Sequence, residues 1–184
     1  MKKTYIKLIT HIKTKIGQNN IVKIYFNKLK KWKGWYKVMK VKDCMCNDVC
    51  CVTPDSTVQD CAKLMCDRHV GCIPVCDTLE NVVGLVTDRD IILRTIACEK
   101  NANTTPVSEI MTCKVCSCNS DVDIKEAEDL MSKYQIRRLP VVDDNNKIVG
   151  IITLGDLAKN NNINNNEVTN TLENICKCND KNAE

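Results

Sequence analysis

The sequence predicts an α/β fold of two β-α-β-β-α repeats packed with pseudo-twofold symmetry, and three observations carry that prediction. Sliding the chain by 66 residues lays 41–91 on 107–157 without a gap. Within each copy the apolar residues change from helical to strand spacing at the same register. One copy alone has too little helix to cover an apolar sheet face, so the two pack together. Val41, Met45, Val49, Cys50 and Asp55 fall on Val107, Met111, Val115, Cys116 and Asp121, and Pro74, Val75, Gly84, Thr87 and Asp90 fall on Pro140, Val141, Gly150, Thr153 and Asp156. A gapless match of this length is a duplication.

Each element follows in order. Short apolar runs, Val49–Val52 and Val115–Cys118, open the copies as strands. Val58, Cys61, Ala62 and Met65 repeat at helical spacing, echoed by Ile124, Ala127 and Met131, with Thr57 and Asp60 or Asp123 and Glu126 placed to cap the helix start. Two strands follow, Cys72–Cys76 with Val82–Thr87 and Leu139–Val142 with Ile148–Thr153, joined by polar turns. Pro74 and Pro140 lack a ladder donor, which marks edge or bulge positions or backbone facing a ligand. A last helix starts near Thr87 or Thr153. The chain divides into a basic N-terminal arm (1–38), repeat one (39–100), repeat two (101–158), and an Asn-rich linker with a short helix (159–184) whose stripe of Val168, Leu172 and Ile175 docks on the body.

Length and charge exclude several classes. At 184 residues the chain is no large multi-domain enzyme. Its net charge of +4 hides a split: residues 1–38 hold eleven lysines and no acid, which leaves −7 for the rest. The N-terminus lacks a signal peptide's unbroken apolar core, and no segment approaches the ~20 apolar residues of a membrane span, so a cytoplasmic location with reduced thiols is expected. The acid-free arm carries three readings: an amphipathic helix for anionic membranes or nucleic acid, a solvated tail, or a non-native extension ahead of a start at Met39. The third is preferred, and nucleic-acid binding is not expected of the body.

The chemistry concentrates in two strand-to-helix junctions, Gly84-Leu85-Val86-Thr87-Asp88-Arg89-Asp90 and Gly150-Ile151-Ile152-Thr153-Leu154-Gly155-Asp156. Thr-x-x-Asp at a helix start is a capping box in acidic form, which is the plain structural reading. The same junction offers backbone N–H groups, a hydroxyl and a carboxylate that suit phosphate and ribose. With the preceding Val70-Gly-Cys-Ile-Pro-Val75 and Ile136-Arg-Arg-Leu-Pro-Val141, and the openings Val41-Lys-Asp-Cys-Met45 and Ser108-Glu-Ile-Met111, these motifs resemble a cystathionine-β-synthase-type (CBS) domain pair, or Bateman module, over about residues 40–158. The likeness is greatest to stand-alone bacterial CBS-pair proteins.

That resemblance implies a non-enzymatic regulatory module with no required cofactor. It implies that adenine nucleotides or related adenosyl ligands (AMP, ATP, NAD or S-adenosylmethionine) bind in clefts between the repeats, that two pairs associate as a homodimer, and that an unidentified protein is regulated. Carried over by position, Asp90 and Asp156 hold ribose hydroxyls, Thr87 and Thr153 contact phosphate, and the surroundings of Ile73, Leu139, Thr53 and Asn119 enclose the base. Arg137, Arg138 and Arg89 are placed to meet phosphate, for which a planar guanidinium is well suited. The copies differ here: Leu154-Gly155 replace Asp88-Arg89, and Gly71-Cys72 replace Arg137-Arg138, so the two clefts are expected to be unequal. No Walker-type loop or paired-carboxylate signature supports catalysis. The fourteen cysteines, many facing small or apolar partners across the repeat, read chiefly as core hydrophobes. The Cys113-x-x-Cys116 spacing keeps a metal or redox sensor as the alternative function.

Overall fold

A computed structural model describes residues 39–160, 163 and 165–177; the three readings of the basic arm lie outside the described residues. In each copy a capped helix leads into an antiparallel strand pair. Helix α1 (Val58–Arg68) starts at Thr57, whose hydroxyl accepts the Asp60 N–H, and ends where His69 turns left-handed at φ 54°. Its counterpart α3 (Ile124–Tyr134) starts at Asp123 and ends at Gln135, φ 53°. The predicted stripe is the buried one: Val58, Cys61 and Met65 in α1, and Ile124, Ala127 and Met131 in α3.

Strands β1 (Cys72–Cys76) and β2 (Val82–Thr87) pair antiparallel, as do β4 (Arg138–Val142) and β5 (Ile148–Thr153), with a register shift at Val75/Cys76 and again at Val141/Val142. Pro74 and Pro140 stand one residue before these bulges. The hairpin turns are held by one carboxylate each. Asp77 Oδ1 accepts the Leu79 and Asn81 N–H groups, and Asp143 Oδ1 accepts those of Asn145 and Lys147, all at 2.9 Å. These two carboxyls are accordingly held below the usual carboxylate range, for Asp77 first by its side-chain bond to Asn81 and for Asp143 first by the Lys147 backbone N–H.

The opening strands are shorter than the apolar runs predict. In copy one a single parallel bridge joins Val52 to Val75; in copy two β3 is Cys118–Asn119, parallel to β4. The residues before them pack as irregular chain. The closing helices are α2 (Asp88–Ile91), prolonged by one wide π turn over Ile92–Ile96, and α4 (Leu154–Lys159). Helix α5 (Asn165–Cys176) lies against α3 and α4 and buries Val168 and Thr171.

The copies also exchange their openings. Val41, at the head of copy one, is buried in the core of copy two with Leu139, Val141 and Ile152. Val107, at the head of copy two, is buried in the core of copy one with Ile73, Val75 and Val86. The backbone bonds repeat at the same offset: Val41 N–H donates to Val122 O (3.0 Å) and Val107 N–H to Ser56 O (2.8 Å), while Ile124 N–H donates to Met39 O and Val58 N–H to Thr105 O (3.0 Å each). The exchange also accounts for the junction glycines. A Cβ on Gly84 would collide with Met111, and one on Gly150 with Met45, each methionine belonging to the exchanged segment.

Candidate ligand clefts

Both Thr-x-x-Asp junctions are complete capping boxes. Asp90 N–H donates to Thr87 Oγ1 (3.1 Å), and Asp90 Oδ2 accepts from Thr87 N–H (2.9 Å) and the Thr87 hydroxyl (2.7 Å). Thr153 and Asp156 repeat the set at the same three distances. In this state each threonine proton is directed to its own aspartate. The outer oxygens differ. Asp90 Oδ1 pairs with Arg94 Nη2 at 3.3 Å, and Arg94 Nη1 also donates to Ile110 O at 2.7 Å, tying the first junction to the exchanged opening. In copy two the place of Arg94 is taken by Asn160, which donates to Cys44 Sγ at 3.1 Å.

Each junction faces the other copy across a cavity. The first, of about 880 Å³, sets Leu85, Thr87, Asp88 and Arg89 against Lys114, Cys116, Tyr134, Arg137 and Arg138 of copy two. Its wall carries four cations, Arg89, Lys114, Arg137 and Arg138, against the single carboxylate of Asp88. Tyr134 presents a half-exposed ring there. The second, of about 560 Å³, sets Thr153, Leu154 and Gly155 against Val70, Gly71 and Cys72, and Val168 and Leu172 of α5 add an apolar side. Arg137 and Arg138 line this cavity too and are its charged residues. Cys72 is buried, and that burial pushes its thiol up to about 12.

Gly71 explains how one arginine reaches both cavities. A Cβ there would lie 2.8 Å from Asp88 Oδ2 and 3.2 Å from Arg138 Nη2, so the missing side chain is what admits those two groups. In copy two the matching residue is Arg137, and its carbonyl accepts the Leu154 N–H as Gly71 O accepts that of Asp88.

The structure brings Thr87, Arg89, Arg137 and Arg138 together around the first cavity, and Thr153 with both arginines around the second. Asp90 and Asp156 stand behind the threonines as caps and line neither. Ile73 and Leu139 are fully buried in the two cores. Strand alternation is the reason, since their neighbours Cys72 and Arg138 are the residues that face the cavities. Thr53 and Asn119 also lie outside both linings. Thr53 bonds Ser56 (3.0 Å), and Asn119 accepts the Asp121 N–H (2.9 Å), so each shapes the turn into its helix. Sequence reasoning missed Tyr134, Lys114 and Leu172. The signal for Tyr134 was present, because it is the one aromatic residue after Met39. Among the described residues no three His, Cys, Asp or Glu side chains gather as a metal site, and the described cysteines are free. No helix among the described residues is long and apolar enough to cross a membrane.

The family model described as "CBS domain" matches twice, at residues 41–95 and 107–161. The CBS domain-containing protein YhcV of Bacillus subtilis is 48% identical over 121 residues, covering 65% of this chain and 84% of that protein. Among solved structures, the CBS domain pair of protein MJ0100, in complex with 5-methylthioadenosine and S-adenosyl-L-methionine, aligns with a TM-score of 0.60 and 29% identity over 66% of this chain and 94% of that one. CBSX2 in complex with AMP aligns with a TM-score of 0.55 and 28% identity over 64% and 91% of the two chains. With the duplicated strand-helix unit, both junctions and the reciprocal packing accounted for, the chain belongs to the CBS domain family as a tandem CBS pair.

Proposed function

We propose that the protein is a non-enzymatic regulatory module that binds an adenine nucleotide or related adenosyl ligand between its CBS repeats, with the phosphate-bearing ligand in the first cleft. The observation that carries this reading is the group of four cations opposed by one carboxylate in a cavity of nucleotide size, beside an aromatic ring on which a base can stack. Relatives crystallised with AMP or S-adenosyl-L-methionine support the ligand class. Thr87 and the Asp88 and Arg89 backbone approach the phosphates, and the outer oxygens of Asp90 and Asp156 take ribose hydroxyls once the junction relaxes around a ligand. Cleft two, apolar apart from its shared arginines, favours a ligand of lower charge. The exposed row of Ile92, Leu93 and Ile96 on the π turn supports self-association as a homodimer.

Thermal melts with AMP, ATP, NAD and S-adenosylmethionine test the reading. A true ligand stabilises the protein by about 2.7 kcal/mol at a hundredfold excess over its dissociation constant. No shift with any of the four removes the proposal.

A further inference from the structure

The two cavities draw on one pair of arginines. Arg137 and Arg138 line both, and in the second they are the charged residues. The first cavity adds Arg89 and Lys114, while Gly155 takes the place of Arg89 in the second. The repeat offers two places for such a pair, 137–138 and 71–72, and copy one fills its own with Gly71 and Cys72. Two clefts therefore share the guanidiniums of one copy.

Arg138 ends at the seam between them. Gly71 lines the second cavity and Asp88 the first, and a Cβ on Gly71 would meet Asp88 Oδ2 at 2.8 Å and Arg138 Nη2 at 3.2 Å. Nor does a carboxylate fix its direction. Among the described residues Arg68 and Arg94 are held by Asp48 and Asp90, at 3.4 and 3.3 Å, whereas neither Arg137 nor Arg138 forms an ion pair. A guanidinium is a planar fork that bonds two oxygens of one phosphate side by side. Turned to a phosphate in one cavity it is turned from the other, and the charge it has met no longer draws a second anion.

We propose that Arg137 and Arg138 couple the two clefts negatively: a phosphate-bearing nucleotide in one weakens the binding of a second such ligand in the other, and leaves the binding of an adenosyl ligand without phosphate unchanged. This coupling rests on the nucleotide reading given above and adds a regulation to it. The first cleft, with Arg89 and Lys114 of its own, fills first with the anionic ligand. The second then keeps an apolar wall of Val70, Leu154, Val168 and Leu172 without free cations. Such coupling is reciprocal, and the weakening is expected to be about tenfold.

AMP and adenosine, which differ by the phosphate alone, are the probes, and the whole chain is used throughout. Isothermal titration of the wild type gives the affinity of the second AMP with the first cleft filled. Ser117→Trp sets a ring into the first cavity, which Ser117 lines, and gives the affinity of the second cleft with no phosphate opposite it. The second AMP is expected to bind the wild type about tenfold more weakly than it binds Ser117→Trp. Adenosine is expected to bind the second cleft of both proteins equally. A measurement on the wild type alone does not depend on the variant folding: the side-chain N–H signals of Arg137 and Arg138 are expected to move with both AMP steps. Equal AMP affinities in the two proteins, an equal weakening for adenosine, or arginine signals that follow one step alone overturn the coupling and leave the nucleotide reading standing. A single AMP site that Ser117→Trp abolishes also overturns the coupling alone, whereas no binding of either probe to the wild type overturns both.

Discussion

The two clefts occupy equivalent places in the two copies and differ in charge by what lines them rather than by backbone. Their Thr-x-x-Asp junctions match to the distance, yet the first cavity has four cations and a tyrosine while the second has two borrowed arginines and a hydrophobic helix at its side. Duplication copied the scaffold, including caps, bulges and turn carboxylates, because each is needed to fold either copy. The residues between Thr and Asp, and those just before each central strand, carry no such duty and have diverged. The pair therefore carries two unlike cavities on one repeated fold.

Arg137 and Arg138 offer the most direct way to break that contrast, since both line both cavities. A hydrogen bond to a charged group contributes about 1.5–3 kcal/mol, so removing both guanidiniums in Arg137→Ala/Arg138→Ala costs the first cleft about 3 kcal/mol, or roughly a hundredfold in affinity for ATP. Isothermal titration reads this directly. If Arg89→Ala costs as much alone while the double variant binds normally, the shared arginines are not the phosphate contacts and the charge argument fails.

The exchanged valines sharpen the comparison from the opposite side, because here the copies are expected to behave alike. Val41 and Val107 are both fully buried in the partner copy's core. Burying a valine side chain contributes about 1.5–3 kcal/mol, so truncation to alanine is expected to cost each variant about 1–2 kcal/mol in urea unfolding. An effect in one variant and none in the other would mean that the exchange is not reciprocal in solution.

The sequence carried the fold almost completely, because the features that define it are local and occur twice: the 66-residue offset, the helical stripes, the caps and the hairpins. The exchange was not legible. Val41 and Val107 are the same residue in the same context, so each copy offers the same socket to both, and nothing in the chain order says which is filled. The junction threonines and Arg89, Arg137 and Arg138, singled out by position, line the cavities. Ile73 and Leu139 lie in the strands beside the cavities, with their side chains turned to the two cores. The contribution of α5 to the second cavity depends on where a helix beyond an Asn-rich stretch lands, which no repeat pattern encodes.

Glu128 gives the smallest expected effect and probes the other consequence of α5. It occupies the position of Ala62 in copy one and is 1% exposed, with Oε1 unpartnered and Oε2 3.3 Å from Lys125 Nζ. Burial pushes its carboxyl above the ordinary value, the Lys125 ammonium opposes that, and Glu167 from α5 and Asp129 from α3 add to it. A carboxyl raised in the folded state binds its proton more tightly there than in the unfolded chain. Its contribution to stability is therefore greatest below the ordinary glutamate value of 4.5 and is lost as pH rises through the folded-state value. Copy one, with alanine at this place, has no such loss. Glu128→Gln keeps the shape and removes the charge, so it is expected to raise stability by up to about 1 kcal/mol at neutral pH and to flatten the pH profile just above 4.5. Urea midpoints measured from pH 4 to 7 decide it: parallel profiles for the two proteins would mean that Glu128 reaches water and that α5 does not seal it.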